Sequence, residues 1–168
     1  MSAEDTNEII NLLNLYALAV DTLQWDLFDR IFLPDVKLEF PGGGWDDLAS
    51  YKIDFHDMHA PLYTSQHMVT NHQVVVTGDR ANALSYARAR LFQTGPEAGS
   101  IFFEFGGWYD DVLVRTPSGW RISFRACRGN WLLDHAGMAK ELVKQNMTTL
   151  RRAAGAGAIA YLQALERQ

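Results

Sequence analysis

Apolar residues at Ile9, Ile10, Leu12, Leu13, Tyr16 and Val20 recur at helical spacing, which predicts an amphipathic helix over about 4–21. WDLFDRIF predicts a second, short helix ended by Pro34. VKLEF then alternates as a strand and runs into PGGG, a turn that opens a third helix around Trp45–His59. The glycine run has no Lys-Ser/Thr behind it, so it reads as a loop and not as a phosphate cradle. After Pro61 the period falls to two. Strands are predicted over about 63–76, 81–93, 100–115 and 119–132, with TGDR (77–80) and RTPSG (115–119) as turns and QTGPEAGS (93–100) as a longer loop. From Asp134 the chain returns to helix and ends in AAGAGAIAYLQALERQ, whose small residues allow close packing on a neighbouring subunit or over a pocket.

Helices followed by an antiparallel meander predict an α+β fold. The expectation is one domain over 1–168, with a core over about 4–133 and a C-terminal helix over about 134–166. A curled sheet with helices across its open side would enclose a pocket.

Composition sharpens this picture. Over 168 residues the hydrophobic share is 48%, with 5 Trp and 9 Phe, more than a minimal core requires and in keeping with an aromatic-lined cavity. A formal net charge of −5 without a basic cluster argues against nucleic acid or an anionic membrane as partner. The single cysteine, Cys127, excludes an intrachain disulfide and suits a reducing compartment. The first residues, MSAEDTNEII, are polar and acidic rather than a signal peptide, and no apolar run approaches the roughly 18 residues of a membrane span. The expectation is a soluble, cytoplasmic protein.

The candidate chemistry begins with TSQHMVTNHQVVV (64–76), where His67 shares a strand face with Val69. An imidazole on such a face needs partners; a backbone carbonyl is the ordinary one, and Asp21, at the end of the apolar LALAV helix face, is a second candidate. Asp21 has its own ordinary reading as a helix N-cap for WDLFDRIF, with Gln24 completing a capping-box-like pattern. A carboxylate at a helix C-terminus also opposes the dipole, so the second helix's N-terminus or an imidazolium should compensate it. Arg128 falls on the face of Trp120, Ile122, Phe124 and Ala126, where an inward guanidinium demands anionic or carbonyl partners. Tyr16 reads as core unless its hydroxyl is used. DFHDMHA places His56 and His59 three apart on a helix, a conceivable metal pair lacking a recognisable third ligand, and more often a solvated pair. Nucleophilic catalysis is disfavoured: Cys127 lies on the face opposite Arg128, and no GxSxG elbow is present.

The segments ALAVDTLQWDLFDRIFLPDVKLEF, SQHMVTN and WYDDVLVRTPSGWRI, in this order of elements, resemble the SnoaL-like branch of the nuclear transport factor two-like superfamily. Within it they are similar to the bile acid 7α- and scytalone dehydratases. The resemblance implies a cone-shaped, strongly curved, mostly antiparallel sheet wrapped by N-terminal helices. It also implies an Asp21–His67 acid/base pair, with Tyr16 and Arg128 as further catalytic candidates. Trp45, Asn71, Phe103, Phe105 and Trp108 are the substrate-contact candidates. The expected activity is a cofactor-independent lyase, a dehydratase of a bulky hydrophobic hydroxylated molecule. The alternatives are a ketosteroid-isomerase-like isomerase or a non-catalytic module like the β subunits of ring-hydroxylating oxygenases. No metal or cofactor is implied, and a homo-oligomer is expected, a trimer before a dimer.

Overall fold

The computed structural model describes residues 3–135 and 144–167, the side chains of Glu97 and Phe102 apart. Helix α1 (Ala3–Asp21) buries Ile9, Leu12, Leu13, Tyr16, Ala19 and Val20, the predicted stripe with Ala19 added and Ile10 only half-buried. A 3₁₀ turn (Trp25–Leu27) and a single-turn helix α2 (Phe28–Ile31) lead directly into β1 (Phe32–Phe40), which carries Pro34 within it. The short strand β2 (Gly43–Trp45) pairs back on β1 and includes part of the glycine run, so helix α3 starts later than predicted, at Leu48, and ends at His59. Asp47 caps α3 by accepting from the Ser50 backbone N–H at 2.8 Å.

Four long strands follow: β3 (Thr64–Thr77), β4 (Arg80–Phe92), β5 (Ile101–Thr116) and β6 (Gly119–Asp134). They form an antiparallel meander, and β1 joins the free edge of β6 in parallel, giving the order β2-β1-β6-β5-β4-β3. The fold is α+β, with N-terminal helices, a curved and mostly antiparallel sheet that does not close, and extra helices at the C-terminus.

Two of the sheet's bulges decide where the candidate residues Asn71 and Arg128 face. On β3, Asn71 and His72 together oppose one residue of β4, and Asn71 takes φ +53° to make the step. On β6, Ser123 is the extra residue between the pairs Leu113–Ile122 and Val112–Phe124. Trp120 and Ile122 therefore share the inner face with Arg125 and Cys127 rather than with Phe124 and Ala126. On β4 the inner positions are small, Ala81, Ala83, Ser85, Ala87 and Ala89, and they leave room above the sheet for α1 and for the rings of α3.

The sheet has a second apolar layer on its outer face. Trp108, Val75 and Leu84 pack there against Ala153 of α4 (Leu150–Gly155), Ile159, and Tyr161 and Ala164 of α5 (Ala160–Leu165). The single C-terminal helix expected over 134–166 is, in its described part, strand to Asp134, helical again at 144–145, and then these two short helices. Its 136–143 portion lies outside the described residues. Glycines at 155 and 157, the latter at φ +65°, interrupt it. The described helices pack on the chain's own sheet, not over the pocket. Asp110 fixes the start of α5 by accepting from the backbone N–H groups of Ala160 and Tyr161 at 2.6 and 3.1 Å.

Candidate functional site

The concave side of the sheet holds a cavity of about 420 Å³, within the range usual for small-molecule sites. Phe40, Trp45, Phe55, Phe103 and Phe105 give it an apolar wall, and the Pro41–Gly43 turn and the exposed Met58 form its rim. Four polar-tipped residues reach it: Tyr16 from α1, His59 from α3, His67 from β3 and Tyr109 from β5.

Asp21 and His67 meet. The His67 Nδ1 lies 2.6 Å from Asp21 Oδ1, and Asp21 Oδ2 accepts the His67 backbone N–H at 2.7 Å. Ser65, two residues earlier on the same strand face, donates its hydroxyl to Oδ1 at 2.8 Å. Burial raises the pKa of the Asp21 carboxyl, but the bonds from the His67 ring and backbone and from Ser65 outweigh it, so the group titrates below its ordinary value. An ionised carboxylate only accepts, so Nδ1 carries a proton, and in the neutral ring the lone pair is on Nε2.

The helix end that presents Asp21 is a Schellman turn. The Gln24 N–H bonds to the Ala19 carbonyl and the Leu23 N–H to the Val20 carbonyl, with Leu23 in the left-handed region at φ +55°. Asp21 is therefore not the N-cap of the next helix. The 3₁₀ turn has Gln24 at that position without a side-chain cap, and the Gln24 amide donates to the Thr22 hydroxyl instead. Strand β3, not the second helix, compensates the carboxylate at the unfavourable end of the α1 dipole.

Tyr16 is 1% exposed, yet its ring reaches the cavity wall, with its hydroxyl 2.9 Å from that of Tyr51. Burial pushes its pKa up to about 12, with Arg125 opposing, so it is a neutral O–H donor. Behind it, Arg125 makes a bidentate pair with Asp111 at 2.7 and 2.9 Å, both side chains fully buried. The guanidinium lies 4.4 Å from the Tyr16 ring centroid and 4.2 Å from that of Tyr109. Burial works against its charge, but the Asp111 carboxylate prevails and raises the Arg125 pKa.

Several expectations need correction. Arg128 points away from the cavity and pairs with Glu39 of β1, because the Ser123 bulge reverses the alternation; Arg125 is the inward arginine. Trp108 faces the outer layer and donates its indole N–H to the Thr148 carbonyl at 3.2 Å. Asn71 is an exposed bulge residue and does not line the cavity. His56 and His59 do not act as a pair: His56 is exposed beside Asp57, whereas His59 is buried in the cavity wall. Cys127 lines the cavity, and burial pushes its thiol up to about 12, which leaves it unionised and a poor nucleophile. Trp45, Phe103 and Phe105 line the cavity, and Asp54 holds the Trp45 indole N–H at 2.7 Å.

His59 was the site's least visible member. Its Nδ1 bonds the Phe55 carbonyl at 2.8 Å, and burial pushes its pKa down to about 4. The signal for it was helical: Leu48, Tyr51, Phe55 and His59 form the one buried stripe of α3.

Residues 1–126 match the SnoaL-like domain family. An uncharacterized protein of Mycobacterium tuberculosis is 35% identical over 122 residues, covering 70% of this chain and 80% of its own, and one from Mycobacterium bovis matches equally. Among solved structures, a protein of Kribbella flavida superposes with a TM-score of 0.74 at 24% identity, over 85% of this chain and 99% of that one. A provisionally assigned scytalone dehydratase from Novosphingobium aromaticivorans gives 0.69 at 19%, over 80% and 95%. A hexachlorocyclohexane dehydrochlorinase gives 0.68 at 17%, over 80% and 91%. At these identities the structures attest the shared fold, and together with the family match over 1–126 they make this chain a member of the SnoaL-like domain family, on the nuclear transport factor two-like fold.

Proposed function

We propose that this protein is a cofactor-independent lyase, a dehydratase that acts on a bulky, hydrophobic, hydroxylated small molecule. The carrying observation is the Asp21–His67 pair opening onto an apolar cavity of about 420 Å³. His67 Nε2 takes a proton from a carbon next to a carbonyl. The C–H electron pair becomes the new double bond as hydroxide leaves, and the imidazolium returns the proton to that hydroxide, so the products are an alkene and water. Asp21 remains ionised throughout; it fixes the tautomer and stabilises the imidazolium. Such positioned acid–base catalysis contributes about 10²–10⁴-fold.

Removing a proton from carbon also needs the neighbouring oxygen to be stabilised as it turns enolate-like. With Arg128 outside the cavity, this role falls to the neutral Tyr16 hydroxyl, a donor of a kind worth on the order of 3–4 kcal/mol in a closed site. The scytalone dehydratase and dehydrochlorinase folds among the neighbours support elimination as the reaction type.

The test is turnover of hydroxylated steroids and polycyclic aromatic ketols, followed by mass spectrometry. A lyase releases a product lighter by one water. A product of unchanged mass in H₂O that gains one deuterium at a new carbon when the reaction is run in D₂O would replace this reading with an isomerase. Unchanged turnover in both Asp21→Asn and His67→Ala would remove the pair from the chemistry.

A further inference from the structure

The cavity contains a second imidazole that the elimination does not use. The His59 and His67 ring centroids are 5.9 Å apart, and both rings line the same cavity. Each has its Nδ1 held by the protein, His59 by the Phe55 carbonyl and His67 by Asp21. A carbonyl can only accept, so His59 Nδ1 carries the proton and Nε2 is the lone-pair nitrogen. Among the described residues neither Nε2 has a hydrogen-bond partner.

Two bonds to Nδ1 thus leave two acceptor nitrogens in the cavity wall with different capabilities. His67 has a carboxylate behind it to stabilise a proton on the ring, whereas His59 has only a neutral carbonyl and a largely desolvated position. Burial pushes the His59 pKa down to about 4, so it stays neutral at pH 7 and is too weakly basic to take a proton from carbon. A metal is no better an explanation. Among the described residues no group of three His, Cys, Asp or Glu side chains converges, and zinc needs at least three protein ligands. What remains for a neutral, desolvated Nε2 in a wall of Phe and Trp is to accept a hydrogen bond from the ligand. An apolar ligand would leave that nitrogen unpaired, which is costly.

We propose that His59 is the specificity-determining acceptor of this cavity: its Nε2 takes the O–H of a phenol or alcohol group on the substrate, distinct from the group eliminated at His67. The substrate class is then an apolar ring compound with at least two polar positions, a reacting one at His67 and a recognised hydroxyl about one ring away at His59. The inference rests on the lyase reading only for what happens at His67. Recognition at His59 is measurable by binding alone.

The test uses 2-naphthol and naphthalene, titrated by calorimetry against the wild type, His59→Phe, His59→Gln and His67→Phe. The wild type is expected to bind 2-naphthol about tenfold tighter than naphthalene, the yield of one neutral hydrogen bond made in place of an unpaired acceptor. His59→Phe should reduce the ratio to within about twofold while still binding naphthalene, which shows that the cavity remains folded. His59→Gln, which returns a carbonyl acceptor near the Nε2 position, should restore a preference, and His67→Phe should leave it intact. Equal affinities in the wild type, a preference that survives His59→Phe, one lost in His67→Phe, or a failure of Gln to restore it would each overturn the assignment. None of these ratios depends on turnover, so a failed elimination assay and a failed hydroxyl preference are separate results.

Discussion

Asp21→Asn separates the two roles of the carboxylate, and the structure sets the outcome. Asp21 faces three donors: the Ser65 hydroxyl and the His67 ring at Oδ1, and the His67 backbone N–H at Oδ2. An asparagine can present its oxygen to only one side. If the oxygen stays at the ring, the amide NH₂ meets the His67 backbone N–H donor to donor, leaving that N–H unpaired at about 1–3 kcal/mol. The favoured flip gives the oxygen to the backbone N–H and turns the NH₂ toward the ring. His67 Nδ1 must then accept, which forces the proton onto Nε2 and removes the lone pair from the cavity. The expected turnover falls by about 10²–10⁴-fold, and the loss of charge-assisted bonding costs roughly 2 kcal/mol, some 4–8 °C in Tm at this chain length. Long-range ¹H–¹⁵N spectra at neutral pH should report Nδ1–H for His67 in the wild type and Nε2–H in the variant. A variant that keeps Nδ1–H, or a wild type that already shows Nε2–H, would refute the tautomer argument whatever the substrate.

Three further outcomes follow from other parts of the molecule. The folded pKa of His59, about 4, lies below the ordinary 6.5, so the folded protein binds this proton less readily than the unfolded chain does. That contribution to stability is complete above pH 6.5 and is lost as pH falls to about 4, worth about 2–3 kcal/mol between pH 7.5 and 4.5; urea titrations should show His59→Gln losing that much less over the interval. Arg125→Met strands the buried Asp111 carboxylate and should cost about 3–5 kcal/mol, whereas Arg125→Met with Asp111→Leu should recover most of it; a double variant as unstable as the single would disprove the pairing argument. Trp108→Phe removes the bond to the Thr148 carbonyl and should cost about 1 kcal/mol in denaturant titrations, with 2-naphthol affinity unchanged because the ring faces the outer layer.

The parts of the site that could be read from the sequence lie where local periodicity is uninterrupted. His67 comes before the Asn71 step on β3, so its face follows from Ser65, His67 and Val69 alone; Asp21 lies at the end of one continuous helical stripe. Arg128 lies beyond the Ser123 bulge, and there counting by twos from Trp120 gives the wrong side. The sequence around that bulge gives no warning. Phe124 and Ala126 are as apolar as Trp120 and Ile122, because β6 is covered on both faces, and alternation carries information only where one face is wet. The same two-sided burial hides Trp108, whose outward face is covered by helices that follow more than thirty residues later in the chain. His59 is hidden for a different reason: its polarity and the nearby His56 spell a metal pair, while its helical register with Tyr51 and Phe55 places it inside. The bulges that defeat the sequence reading also shape the inner face. By shifting β6 one position, Ser123 brings Arg125 opposite Asp111 and beneath the rings of Tyr16 and Tyr109, and it turns the small Cys127 side chain toward the cavity. Without that shift Phe124 and Ala126 would take the inner positions, Asp111 would lose its buried cation, and the wall behind Tyr16 would have to be built from other residues.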